Sequence, residues 1–399
     1  MAKQTKPILV VGGGLGGLSA ALAIGRRGRQ VHILEQAPEI APIGYGIQLG
    51  PNVFSVFDRL GVTEAVRAAS HFPSALVMPD ALTGEVLLNT PIRGGRFAER
   101  FRHPYVVIHR ADIHTVLLDA CKALPNVELT VNATVTGFEQ SADGVVAYCE
   151  NGQSFTGEAL IGADGIKSRI REHFAPGDAP KPNGYVAHRT MLAMAEVPAD
   201  LPFTDDVVLW AGPGFHVVHY PLRDRTLFNV VAVFRPRRAS EAQGLAEYTQ
   251  EVGEVYADAV PALKALLGRM DLEKRWVLAD RDPIGNWYEG RVALLGDAVH
   301  PTYQTLAQGA CMAIEDADCL AAALEGAGYD YPQAFRRYRE SRLVRTARVS
   351  LTSRAVWPFF HEEGIAREVR NDDARTRTPE DFYNCVAWLW GGVSPGTTG

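Results

Sequence analysis

The chain has only five cysteines in 399 residues, Cys121, Cys149, Cys311, Cys319 and Cys385, and no two of them form a CxxC pair. An odd, widely spaced set supports neither a disulfide framework nor a zinc site, so these side chains are expected to be small buried hydrophobes and no metal is expected. No apolar run reaches the roughly 18 residues that a membrane-spanning helix needs, and residues 1–7 are too few and too polar for a secretory signal. A cytoplasmic location is the expectation. A basic excess is also missing: 40 Lys and Arg stand against 46 Asp and Glu, a net charge of -6. That balance argues against a nucleic-acid or anionic-membrane partner and for a small-molecule one. Internal repeats and low-complexity tracts are absent too.

What is present is an ordinary globular composition, 47% hydrophobic and 22% charged, long enough for two or three domains or for one large α/β enzyme with an insertion. Residues 8–11 are a short apolar run followed at once by glycines. An Ala/Leu-rich segment at 18–24 and a second apolar run at 31–34 complete the order strand, turn, helix, strand. Ile113, Val116, Leu117 and Leu118 fall at helical spacing within 110–124, and Pro125 stops that helix. Residues 127–131, 135–138, 145–149 and 153–160 look like strands, with Asp143-Gly144 and Asn151-Gly152 as hairpin turns, which reads as a β-meander. Residues 179–235 set the apolar stretches 207–210, 216–221 and 227–234 among proline-containing turns, a separate antiparallel sheet. Helical patterning covers about 243–269; a strand recurs at 291–295 and a long helix at 308–324, where the nucleotide fold is re-entered. An Arg-rich helix follows at 331–354, and 394–399 reads as a frayed tail.

The run Gly12-Gly13-Gly14-Leu15-Gly16-Gly17 contains GxGxxG between a strand and a helix. Gly12 permits the tight turn, Gly14 lets a pyrophosphate approach the backbone, and Gly17 allows close helix–strand packing, with the helix N-terminus facing the phosphates. Glu35, closing the second strand, can accept hydrogen bonds from a ribose and disfavours a 2′-phosphate. Alone, a fingerprint of this kind is weak and can be a Gly-rich turn; strand, helix and terminal acid together make it a dinucleotide site. The unit does not distinguish FAD from NAD. No second complete fingerprint follows, and Gly212-Pro213-Gly214 reads only as a turn.

Two further segments carry a family resemblance. The run from Ala159 through Asp164-Gly165 to Arg171 resembles the Asp-Gly motif of the single-component flavoprotein aromatic hydroxylases. The run Arg291 to Pro301, containing Gly296-Asp297, resembles their Gly-Asp motif, whose aspartate binds the FAD ribityl chain. All three motifs stand in the family's order and spacing, and the resemblance covers most of the chain, weakening beyond about residue 355. An aspartate at a strand end can hold polyol hydroxyls while the neighbouring glycine lets the cofactor come close; the alternative for either motif is an ordinary strand-end turn. Arg110, after His109, resembles the family's arginine on the FAD side, its alternative being a surface salt bridge, and Val135 aligns with a position giving backbone contacts to adenine. Gly309 begins a helix whose N-terminus can stabilise negative charge on reduced flavin. The resemblance implies an α/β architecture: a Rossmann-like FAD-binding domain with parallel sheet and β-meander (1–72, 100–178 and 283–330), an inserted antiparallel sheet for substrate (73–99 and 179–282), and C-terminal helices (331–399). It also implies transient NADH or NADPH without a domain of its own, and a homodimer.

On the substrate side, residues 301–310 should run over the flavin. Many family members have proline where this chain has Gln304; the glutamine looks like the variant of the 3-hydroxybenzoate 6-hydroxylases, where it faces the substrate ring. In His216-Val217-Val218-His219-Tyr220, period-two geometry puts His216 and Tyr220 on one face. That pair matches the histidine and tyrosine of the same group, although a histidine on a strand is by itself more often structural. His219 points to the opposite face, and His300 reads as structural. The resemblance implies para-hydroxylation of 3-hydroxybenzoate to 2,5-dihydroxybenzoate with O2 and NADH, through a flavin C4a-hydroperoxide. In that scheme His216, with an ordinary pKa of about 6.5, takes the phenolic proton, Gln304 positions the ring and Tyr220 hydrogen-bonds it. No carboxylate-binding residue stands out. Salicylate 1-monooxygenase, or a hydroxylase of a hydroxylated N-heteroaromatic, shares this cofactor chemistry; a non-oxygenating flavoprotein reductase or flavin-binding regulator is the alternative of another class.

Overall fold

The computed structural model describes residues 6–39, 44–237 and 244–392, so the tail expected at 394–399 lies outside the described residues. The short strands Ile8–Val11 and Val31–Leu34 are buried at every position, the pattern of strands covered on both faces of a parallel sheet. They sit inside a six-stranded sheet of order Tyr288–Glu289, Val292–Leu294, Ala159–Gly162, Ile8–Val11, Val31–Leu34, Val127–Thr130. Every neighbouring pair is parallel except the outer hairpin Tyr288–Glu289 with Val292–Leu294. Helix Leu15–Gly25 follows the first strand and is buried along nearly its whole length, because the later helix Gly309–Gly326 packs on it.

Two sequence expectations change here. The meander has three strands, Val135–Ser141, Gly144–Cys149 and Ser154–Gly157. Residues 127–130 pair with Val31–Leu34 in the parallel sheet, and the run expected as one strand over 153–160 splits, its second part Ala159–Gly162 pairing with Ile8–Val11. The break falls at Gly157, where a Cβ would meet Leu9 Cγ and the Pro7 carbonyl oxygen, each at 2.7 Å. Likewise the helical pattern over 243–269 is two helices, Leu245–Val255 and Pro261–Leu267, the second opened by its proline. Beyond the Arg-rich helix, which runs Tyr331–Val356, the chain adds Gly364–Thr376 and Pro379–Trp390.

The second large sheet has seven strands in the order Trp276–Asp280, Lys181–Ala193, Leu227–Phe234, Phe215–Leu222, Val207–Gly212, Ala75–Pro79, Val86–Pro91. It is antiparallel apart from one parallel pair, Val207–Gly212 with Ala75–Pro79. Alternation gives its faces different tasks. Val208, Trp210, Phe215, Val217, Phe228, Val230 and Phe234 form a separate apolar core with Tyr248, Val252, Leu263 and Leu266 of the two covering helices. Direct pairing places His216 beside Val233 and Ala211, Val218 beside Val231 and Leu209, Arg189 beside Val231, and Tyr220 beside Asn229. These residues therefore share the other face, which looks toward the nucleotide fold.

Candidate active site

The cofactor side begins at the glycine turn. Gly12 has φ +107, and a Cβ there would collide with the Ala163 carbonyl oxygen; a Cβ on Gly17 would run into the carbonyl oxygen of Gly12. Gly14, the N-cap of helix Leu15–Gly25, has nothing within 4 Å of where its Cβ would stand. Open space at the start of a helix is where a pyrophosphate fits. Glu35 holds the turn itself: its carboxylate accepts from Gly13 N at 2.6 Å and from Ala37 N at 2.8 Å.

Asp164 accepts from the backbone of Arg169 (2.7 Å) and Ile170 (3.2 Å) through Oδ2, while its buried Oδ1 has no partner among the described residues. Gly165 beside it has φ +78. Gly296, φ +62, is tied by its N–H to Asp316 at 3.1 Å. Asp297 is exposed by area, yet desolvation raises its carboxyl pKa, as expected for a carboxylate in a cleft walled by protein. His300 and Arg110 lower it, and Asp316 raises it. Gly309, first residue of helix Gly309–Gly326, lies 3.8 Å from Asp297 Oδ1, measured from its would-be Cβ. Arg110 opens helix Arg110–Lys122, is exposed, and makes no ion pair within 4.0 Å among the described residues, although a salt bridge was its alternative role. Val135 is buried at the start of the meander. An unpartnered Asp164 oxygen, an open Gly14 and an accessible Asp297 are the features an FAD molecule lying along this cleft would use.

His300 is engaged as the sequence suggested for a structural residue: it is buried, with Nε2 2.5 Å from Asp316 and its ring against Trp287. Arg342, fully buried, bridges Asp316 and Glu315 at 2.6 Å each, and Arg345 adds two bonds to Glu315. This network anchors the helix that begins at Gly309. His219 faces the second core, where it accepts from Trp210 Nε1 at 3.0 Å.

On the substrate side, Gln304 Oε1 accepts from Arg189 at 2.8 Å. Its oxygen is thereby committed and its NH2 left to donate. Arg189 has no carboxylate within 4.0 Å among the described residues; burial lowers its pKa, and Tyr220, Arg110 and Tyr45 lie within electrostatic range. Tyr105 donates to Gln48 Oε1 at 2.5 Å, which turns the Gln48 amide nitrogen to donating roles. Burial raises Tyr220 above its ordinary value, outweighing the Gln48 side chain, which acts to lower the phenol pKa, so it remains a hydroxyl with its proton free to donate. Gly46 makes room for that ring, since a Cβ there would strike it. His216 is 2% exposed, its pKa pushed well down by burial and by His361. Its Nδ1 lies 2.7 Å from His361 Nε2, and its ring packs on Trp357 and Phe360. Tyr303, next to Gln304, packs on the same Trp357. No hydrogen bond joins His216 to Gln304 or Tyr220 among the described residues; the three share one sheet face and its facing wall.

Sequence reading missed Arg189, Gln48 and His361. Arg189 sits between His188 and Thr190 in the run Val186 to Leu192, so its charge did not stand out from its neighbours. Nothing in the pattern marked His361, which lies where the family resemblance is weakest.

Comparison with known proteins shows which family the chain belongs to. The family model described as FAD binding domain matches residues 5–350. A 3-hydroxybenzoate 6-hydroxylase of Polaromonas naphthalenivorans (strain CJ2) is 45% identical, covering 96% of each chain. One of Klebsiella oxytoca is 40% identical over 98% of each. Among solved structures, Klebsiella pneumoniae HpxO complexed with FAD and uric acid aligns with a TM-score of 0.83 at 26% identity, covering 97% of both chains. The chain belongs to the FAD-binding family of flavoprotein aromatic hydroxylases and is an FAD-dependent, NAD(P)H-driven aromatic monooxygenase.

Proposed function

We propose that the enzyme hydroxylates 3-hydroxybenzoate para to its phenol, giving 2,5-dihydroxybenzoate, with NADH as the electron donor. NADH gives two electrons; one atom of O2 enters the ring and the other leaves as water. What carries this reading is a separation of donors from an acceptor across one sheet face and its facing wall. Arg189, the Gln304 amide and the Tyr220 hydroxyl all donate. His216 Nε2 makes no hydrogen bond among the described residues. His216 and Tyr220 stand four residues apart on one strand, about 13 Å at roughly 3.3 Å per residue.

A ring whose carboxylate and phenol are not adjacent suits that spacing. The carboxylate takes the donors and neutralises Arg189, while the phenol faces His216. Salicylate, with the two groups side by side and bonded to each other, satisfies only one end. A phenol pushes electron density to its ortho and para carbons, and more so as it loses its proton. As the ring accepts electrophilic oxygen the hydroxyl becomes strongly acidic, so even a weakly basic buried imidazole can take that proton.

For the cofactor, Gly12, Gly14 and Gly17 would admit the pyrophosphate at the helix N-terminus, Glu35 the adenosine ribose, and the Val135 backbone the adenine. Arg110, Asp164-Gly165, Gly296-Asp297 and Gly309 would line the ribityl and ring portion. Bound FAD supplies the activation of O2 that no side chain can; the surrounding residues orient the ring and keep water out. Steady-state assays with the isomeric hydroxybenzoates, with products identified by chromatography, test the proposal. 2,5-Dihydroxybenzoate formed from the 3-hydroxy isomer is expected. Faster turnover of salicylate, or NADH consumed with only hydrogen peroxide formed, overturns it.

A further inference from the structure

The second histidine of the site has a determinate hydrogen-bond role. His361 Nδ1 lies 2.7 Å from the carbonyl oxygen of Trp357. A carbonyl can only accept, so Nδ1 carries the proton. Burial depresses the His361 pKa to about 4, leaving the ring neutral, and a neutral imidazole protonated at Nδ1 presents a lone pair at Nε2. The 2.7 Å contact from His216 Nδ1 to that atom must then be a donation by His216. One ring thus fixes the tautomer of the next.

We propose that His361 is a positioning residue that holds His216 in the Nδ1–H tautomer, so that Nε2 is delivered as the acceptor for the substrate's phenolic proton. The proposal rests on the hydroxylation reading above for its substrate and on the hydrogen bonds alone for its tautomer. In the step, the phenolic O–H bond breaks and its proton goes to His216 Nε2. His216 Nδ1–H can shift to His361 Nε2, which leaves a neutral His216 donating to the substrate oxygen and the positive charge one ring away. Aromatic rings enclose the pair: Trp357 at 4.8 Å and Tyr185 at 4.6 Å from His361, and Phe360 at 5.6 Å from His216.

The titratable and charged groups facing the pair are Tyr185, from Lys181–Ala193, and Arg370, from Gly364–Thr376, whose charge is shared with Asp80. Glu363, one residue before that helix, reaches Gly214 at the end of the neighbouring strand turn. The backbone seats the arrangement, since the His361 carbonyl accepts from Gly214 N at 2.9 Å.

The test uses the FAD-loaded full chain with 15N-labelled histidine. Nitrogen chemical shifts are expected to show His216 protonated at Nδ1 and bare at Nε2; protonation at Nε2 overturns the proposal whatever the substrate proves to be. His361→Phe removes the acceptor and is expected to lower kcat on the order of 10²-fold with KM nearly unchanged, and to let the His216 tautomer shift. His361→Gln, whose amide can donate to Trp357 and accept from His216, should restore most of the rate. An unaltered tautomer and kcat in the phenylalanine variant overturn the proposal. Should that variant lose its flavin spectrum, the wild-type nitrogen shifts decide alone. Absence of 2,5-dihydroxybenzoate from the wild-type enzyme counts against the substrate and leaves the tautomer measurement standing.

Discussion

Arg189 sits on a sheet face with a glutamine amide for company and no carboxylate within 4.0 Å among the described residues, an arrangement that favours any ligand bringing the missing charge. Charge-assisted hydrogen bonds contribute about 1.5–3 kcal/mol. Arg189→Met is therefore expected to raise KM for 3-hydroxybenzoate roughly 10- to 100-fold while leaving the flavin spectrum intact. Lysine should recover only part, for want of the planar fork. Unchanged KM in steady-state kinetics would count against a carboxylate at this position. The glycines give a second contrast. Gly14 has open space and an ordinary φ of -74, so Gly14→Ala should fold with native circular dichroism yet purify colourless. Gly17→Ala, with its Cβ driven into the Gly12 carbonyl, should lose the fold itself, read as a lowered melting temperature or no soluble protein.

How far such residues can be read from sequence depends on whether their chemistry is local. Gly12, Gly14, Gly17 and Glu35 lie in one strand–turn–helix–strand unit, and period-two alternation alone separates His216 and Tyr220 from His219. Gln304 is visible as a position; its amide orientation is not, because Arg189 sets it from 115 residues away. His361 becomes legible only once the chain has folded back across 145 residues. The split at Gly157 was hidden for a similar reason: Leu9 and Pro7, which make the glycine necessary, are remote in sequence.

At the scale of elements, the helix Gly364–Thr376 is pinned to the seven-stranded sheet through one buried carboxylate. Asp80 accepts from Arg367 at 2.6 and 2.9 Å, from Arg370 at 3.2 Å and from Asn371 at 3.0 Å. Burial alone would raise its pKa, but these bonds and the backbone N–H groups of Thr83 and Leu82 outweigh it and hold Asp80 at about 2. An aspartate in the unfolded chain titrates near 3.9. The folded value is lower, so Asp80 contributes about 2–3 kcal/mol at neutral pH, lost progressively as pH falls from about 5 to about 1. Asp80→Asn should flatten that part of an acid-unfolding curve followed by tryptophan fluorescence. Asp80→Ala strands two arginines and should cost about 3–5 kcal/mol, seen in denaturant melts. A wild-type stability in the alanine variant would mean that the helix is held by something else.

Across the whole molecule, the residues assigned to the cofactor run from Gly12 to Gly309 and stand on elements packed by the largest apolar cluster, while another cluster fills the far face of the seven-stranded sheet. A ligand that binds only the folded chain stabilises it by mass action, about 2.7 kcal/mol at a hundred times its dissociation constant. FAD titrated into the apoprotein is therefore expected to raise the melting temperature progressively, and 3-hydroxybenzoate to add a further increment once FAD is bound. Scanning fluorimetry checks both; an increment from 3-hydroxybenzoate equal with and without FAD would mean that the two sites are energetically independent.

Trp357 and His361 wall the substrate face from the far side of the chain. In the order of protein synthesis, the ribosome makes the glycine turn first and this wall more than three hundred residues later. The nucleotide cradle is itself complete only once Asp297 and Gly309 have been made, a short stretch of chain before this wall. Synthesis therefore supplies Trp357 and His361 after every residue assigned to the flavin, so the wall around His216 is the last part of the site to be made.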